Sequence, residues 1–131
     1  MLPSDMNLVR DSFVKTVKQF PLTKSIDSEI LRALIPKALV NGWNLKVLCE
    51  KGEPEEVMAW TIMLGRCVLW LCRKPKYKGI GLGYRLFEMT VPVRGPVSCV
   101  FLNPSSTPLL ATKGYQLQFR PYLAMEIMSY E

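Results

Sequence analysis

The stretch Cys67-Val68-Leu69-Trp70-Leu71-Cys72-Arg73-Lys74-Pro75-Lys76-Tyr77-Lys78-Gly79-Ile80-Gly81-Leu82-Gly83-Tyr84-Arg85-Leu86 decides the fold. Its first six residues are apolar throughout, which predicts a central strand covered on both faces. Three glycines at alternate positions then predict a tight turn opening a helix over residues 81–90, ended by Pro92. Residues 57–87 carry six cations and no carboxylate. Glycines let the backbone approach an anion closely, and amides at a helix opening point the favourable end of its dipole at it. The stretch therefore reads as a phosphate cradle.

Working towards the N-terminus, residues 43–50 and 57–64 are rich in β-branched, aromatic and apolar types. Lys51-Gly52-Glu53-Pro54 lies between them, so an antiparallel hairpin is expected, extended by the strand at residue 67 into a three-strand meander. Before it, Met6, Val9, Phe13, Val14 and Val17 recur at helical spacing and predict a first helix over residues 5–20. A second helix, capped by Ser25 or Asp27, buries Leu31, Leu34, Ile35 and Ala38, with Pro36 expected to kink or break it. Towards the C-terminus a buried strand over residues 96–102 and a short helix over residues 108–113 precede two strands, 115–119 and 122–128. The order predicts an α/β (α+β) fold: a mixed, mostly antiparallel central sheet of about six strands flanked by about four helices.

The chain has 131 residues, a length suited to one domain over residues 1–131 with a single core. No apolar run reaches the roughly 18 residues that a membrane crossing needs, and the first residues lack the basic flank and apolar core of a signal peptide. A cytoplasmic protein is expected. Cys49, Cys67, Cys72 and Cys99 sit in apolar runs without a Cys-x-x-Cys pair, and histidine is absent, so buried thiols are expected rather than a metal site. The same absence removes Ser-His and Cys-His nucleophile pairs. The net charge of +6 favours an anionic partner without choosing among nucleic acid, cofactor phosphate and acidic protein. Trp43, Trp60 and Trp70 could stack on bases, but they lie in segments read as buried, so nucleic acid is not the expected partner.

The turn is no P-loop, since Gly-x-x-x-x-Gly-Lys-Ser/Thr does not occur. Tyr84 and Leu86 stand where Gly-x-Gly-x-x-Gly needs its third glycine. Lys78, Gly81 and Gly83 instead match the spacing Arg/Gln-x-x-Gly-x-Gly/Ala, and Asn103 is followed at Gly114-Tyr115 by a pair like Gly-Phe. On these two motifs the chain resembles the GNAT N-acetyltransferases, and more weakly the small phage-encoded GNAT-like proteins. The resemblance implies that acetyl-CoA is bound by Lys78, Gly79, Ile80, Gly81, Leu82, Gly83 and Tyr84 at the turn. It further implies that Leu71, Cys72 and Arg73 on the preceding strand, with Asn103, hold the pantetheine arm. An acetyl group would then pass to a primary amine of a protein or small molecule by direct attack in a ternary complex.

Departures from the family pattern bear on the chemistry. Leu110 stands where the resemblance expects an acidic tyrosine, leaving Tyr115 or Tyr84 to protonate the departing thiolate. For a base, Glu55, Glu56, Glu88 and Glu126 are the carboxylates to weigh, with Glu56 preferred. Arg73, Lys74, Lys76 and Arg85 could contact CoA phosphates or simply be solvated surface. The alternative reading is a GNAT-fold binding module, weakly active or inactive, that occupies a host protein or nucleic acid.

Overall fold

A computed structural model describes residues 3–19, 25–74, 77, 81–101 and 107–129. Its elements run α1 (Pro3–Val17), α2 (Ser28–Val40), β1 (Asn44–Glu50), β2 (Glu53–Leu64), β3 (Cys67–Arg73), α3 (Leu82–Thr90), β4 (Gly95–Cys99), α4 (Thr107–Thr112), β5 (Tyr115–Phe119) and α5 (Tyr122–Met128). The five strands form one mixed sheet in the order β1-β2-β3-β4-β5. The first two pairings are antiparallel, as a hairpin meander requires, and the last two are parallel because α3 and α4 cross over between them. The architecture is thus mixed α+β. Among the described residues it has five strands rather than about six, half of its pairings are parallel, and it has five helices rather than about four.

The strand expected over residues 122–128 is the helix α5. Leu123, Met125 and Ile127 alternate like a strand, but the residues packed against the core are Leu123, Ala124, Ile127 and Met128, a helical spacing, while Met125 is exposed. The turn of α5 lets that stripe rest on α2, where Lys37 Nζ donates to the Met128 carbonyl at 3.2 Å. Pro36 does not break α2, which runs unbroken from Ser28 to Val40. Burial of Leu31, Leu34, Ile35 and Ala38 on both sides of it outweighs the roughly 3 kcal/mol that an interior proline costs, and Pro36 itself faces solvent. Asp27 caps the helix by accepting from the Glu29 amide at 2.7 Å.

Two apolar layers enclose the sheet. On one face α1, α2 and α5 bury Phe13, Leu34, Trp60, Leu69, Trp70 and Phe101. On the other α3 and α4 bury Met63, Val68, Phe87, Val97, Leu110 and Tyr115. Phe13 meets Trp60, Trp70 and Phe101 edge-on at centroid distances of 6.4, 6.2 and 5.7 Å. The two indoles also donate to α1 hydroxyls, Trp60 to Ser12 at 2.8 Å and Trp70 to Thr16 at 2.9 Å. These tryptophans are core residues whose polar edges are spent on α1.

Candidate functional site

β3 and β4 lie side by side over only two pairs, Cys67↔Ser98 and Val68↔Cys99, closed by the Val100 amide on the Val68 carbonyl at 2.9 Å. Beyond that point Val100 and Phe101 turn into the core under α1, while β3 continues to Arg73. Among the described residues no strand pairs with the β4-side edge of residues 71–73, and this open edge beyond the last β3–β4 pair is called the V.

A bulge marks the apex. β2 residues Ile62 and Met63 are opposite Trp70 and Val68, so Leu69 is the extra residue in β3. The consequence is visible in burial: Leu69 and Trp70, neighbours in sequence, both pack on the α1 face. Among the described residues paired at the apex, Cys67, Val68, Ser98 and Cys99, none is a carboxylate. Thr61, opposite Leu71 on β2, is buried with its hydroxyl donating to the Trp70 carbonyl at 3.0 Å.

Gly81, which opens α3, follows β3 in the chain at the end where β3 is unpaired, the mouth of the V. Gly81 adopts the left-handed φ of 74°, a conformation that favours glycine, and a Cβ added there would meet nothing within 4 Å. α3 begins without a side-chain cap and without a carboxylate in its first turn, so its opening amides face outward with the positive end of the dipole. Arg73 Nη1 is buried with no hydrogen-bond partner, and Arg85 on α3 is exposed. Lys74 anchors the end of β3 through its amide to the Met58 carbonyl at 2.9 Å.

The expected residues divide between this mouth and other places. Leu71, Cys72 and Arg73 line the open limb of β3, and Gly81, Leu82, Gly83 and Tyr84 form the turn and first helical residues. Lys78, Gly79, Ile80 and Asn103 lie outside the described residues. Glu56 is at the mouth too: Tyr77 donates to its Oε1 at 3.0 Å, and Lys74 Nζ lies 3.9 Å from the same oxygen. It stands six residues before Ile62 along β2, about 20 Å from the apex at strand rise. Tyr84 turns its hydroxyl along α3 to Glu88 Oε2 at 2.5 Å, and Arg94 joins both. That hydrogen bond, followed by the Arg94 charge, holds the Glu88 carboxyl below its ordinary range.

Tyr115 pairs with Gly95, beyond the closed end of the V and on the side away from Arg73. Its ring is buried against Phe87 at 4.9 Å, its hydroxyl donates to the Val91 carbonyl at 2.5 Å, and burial raises its pKa. Leu110 fills the same core. Cys72 is buried against α1, and burial raises its thiol despite hydrogen bonds with Thr16 and Ser12, the opposite of the lowered pKa that an activated thiol needs. Among the described residues no three His, Cys, Asp or Glu side chains gather as metal ligands, and no helix is long and apolar enough to cross a membrane.

Sequence reasoning missed Tyr77 as the partner of Glu56, because the two are 21 residues apart and meet only through the β2–β3 pairing. It also missed the bulge, for which the one available signal is that residues 67–72 lack any polar position to set the pleat. Comparisons with protein-family models, with curated proteins and with solved structures find no match for the chain.

Proposed function

We propose that the protein binds acetyl-CoA in the V between β3 and the chain leaving β4 and transfers its acetyl group to a primary amine, as the resemblance to GNAT acetyltransferases implies. The observation that carries this reading is the parting of β3 from β4 after two paired residues, with the Gly81 turn and the uncapped start of α3 at its mouth. The residues fit such a group. Unpaired strand edge suits the amides of a pantetheine arm, opening amides of α3 suit a pyrophosphate, and the orphaned Arg73 Nη1 suits a phosphate oxygen.

In this reading Leu71, Cys72 and Arg73 hold the arm by backbone pairing. Gly81, Leu82, Gly83 and Tyr84 hold the pyrophosphate, with Lys78, Gly79, Ile80 and Asn103 contributing as the resemblance implies. When bound, acetyl-CoA supplies an acyl group activated as a thioester. The chain contributes position and fixed dipoles: backbone amides of β3 receive the negative charge that develops on the carbonyl oxygen. Proton transfer falls to solvent in this reading, because the described residues paired at the apex include no carboxylate and the Tyr84 and Tyr115 hydroxyls are engaged elsewhere. Glu56 is given the role of fixing Lys74 and Tyr77 at the phosphate end.

Melting with and without acetyl-CoA tests binding. A ligand held by the native state alone at a hundredfold excess over Kd adds about 2.7 kcal/mol, and an unchanged transition excludes the cofactor. Mass spectrometry of mixed amine acceptors tests transfer. A second reading, a GNAT-fold module that occupies a host protein or nucleic acid, draws support from the carboxylate-free apex and from Leu110. It gains if acetyl-CoA stabilises the protein while neither transfer nor hydrolysis is detected.

A further inference from the structure

β1 is an edge strand, with no strand outside it among the described residues. Its seven residues keep a regular pleat, because the register shifts near Cys49 place the extra residues in β2. Asn44, Lys46, Leu48 and Glu50 point to one face, and Leu45, Val47 and Cys49 to the other, where Leu45 and Val47 pack on the core. Such an edge presents a row of backbone donors and acceptors to any strand of matching register.

We propose that this edge pairs antiparallel with the same edge of a second copy of the chain, about a two-fold axis at Leu48. That register puts Leu48 opposite its own counterpart and Lys46 of each copy opposite Glu50 of the other, so one axis forms two cross-strand ion pairs. Among the described residues neither Lys46 nor Glu50 has an ion-pair partner within its own chain, and both are exposed. Self-complementarity of this kind is what an isologous interface requires. Cross-strand pairs of opposite charge stabilise a ladder, whereas like charges directly opposite destabilise it.

Two further observations favour a second copy as the occupant. A groove of about 400 Å³ runs beside β1 on its Leu48 face, lined by Lys46, Leu48, Met63, Leu86 and Met89. Pairing at β1 brings the two grooves, each lined by the 66% exposed Met89, to the same side of the joined sheet. Charge also permits the approach: residues 1–56 hold eight cations and eight carboxylates, whereas residues 57–131 hold nine cations against three carboxylates. The repulsive half of the molecule is thus not the half that carries β1. At the other edge β5 contains no charged residue, so its self-pairing forms no ion pair.

Sedimentation of the full chain tests this. A species of twice 14.9 kDa is expected at the higher concentrations, dissociating on dilution. Lys46→Glu sets like charges opposite and weakens self-association about tenfold or more, while the double swap Lys46→Glu with Glu50→Lys restores it. Circular dichroism of each variant reports that the fold is kept. A wild-type monomer at every concentration, a Lys46→Glu dimer of unchanged strength, or a double swap that stays as weak as the single variant each overturns the proposal.

Discussion

Single residues set the chemistry this chain can perform. Gly81 is the clearest case, because its φ of 74° is costly for any side chain with a Cβ. Gly81→Val is expected to destabilise the fold by about 1–2 kcal/mol and to abolish the acetyl-CoA melting shift; a retained shift moves the phosphate site elsewhere. Cys67 provides a test in alkali. Burial pushes its thiol up to about 11, so the native state keeps a proton that the unfolded chain sheds above the ordinary value of 9.0. The stability this contributes is fully present below pH 9 and is lost as pH rises towards 11. Urea unfolding of Cys67→Ala between those limits is expected to show a flatter decline than the parent, and parallel curves contradict the assignment. Among candidate site residues the helix-opening glycine Gly81 was legible in sequence, because a positive φ selects that residue type. The roles of Tyr115 and Tyr84 were not, because a hydroxyl's partner depends on which carbonyl or carboxylate the fold brings beside it.

At the scale of elements, α1 and β3 matter most. α1 is held by Phe13 set edge-on among Trp60, Trp70 and Phe101 and by hydroxyls that receive both indoles. Phe13→Ala is expected to cost about 3–5 kcal/mol in urea unfolding, and a loss under 1 kcal/mol would mean that α1 is not docked as described. The bulge at Leu69 lets β3 present two adjacent side chains to α1 just where β4 leaves it. Helices α1 to α3 and strands β1 to β3 could be read from period and punctuation, since each is long or bounded by glycine or proline. α5 could not be read so: over seven residues the apolar positions fit both alternation and a helical stripe, and only packing against α2 decides between them. The parting of β3 and β4 was equally hidden, because strand pairing is a property of two segments and neither sequence alone contains it.

The whole molecule separates two kinds of surface. The half up to residue 56 is electrically balanced and ends in the free edge of β1, while the half beyond it is strongly cationic and contains the V, the Gly81 turn and the orphaned Arg73 nitrogen. If acetyl-CoA is bound at the open end of the sheet as proposed, its binding should weaken as salt screens the charges of Arg73, Lys74 and Arg85. Raising ionic strength is expected to lower the on-rate for acetyl-CoA more than for a dephosphorylated pantetheine thioester, and equal salt dependence would argue against phosphate contacts. Backbone hydrogen exchange with and without acetyl-CoA tests the central claim most directly. Slower exchange in the β3 segment holding Leu71, Cys72 and Arg73, and at Leu82, Gly83 and Tyr84 opening α3, is the predicted result. No protection, or protection confined to β1, β5 or α5, would contradict it.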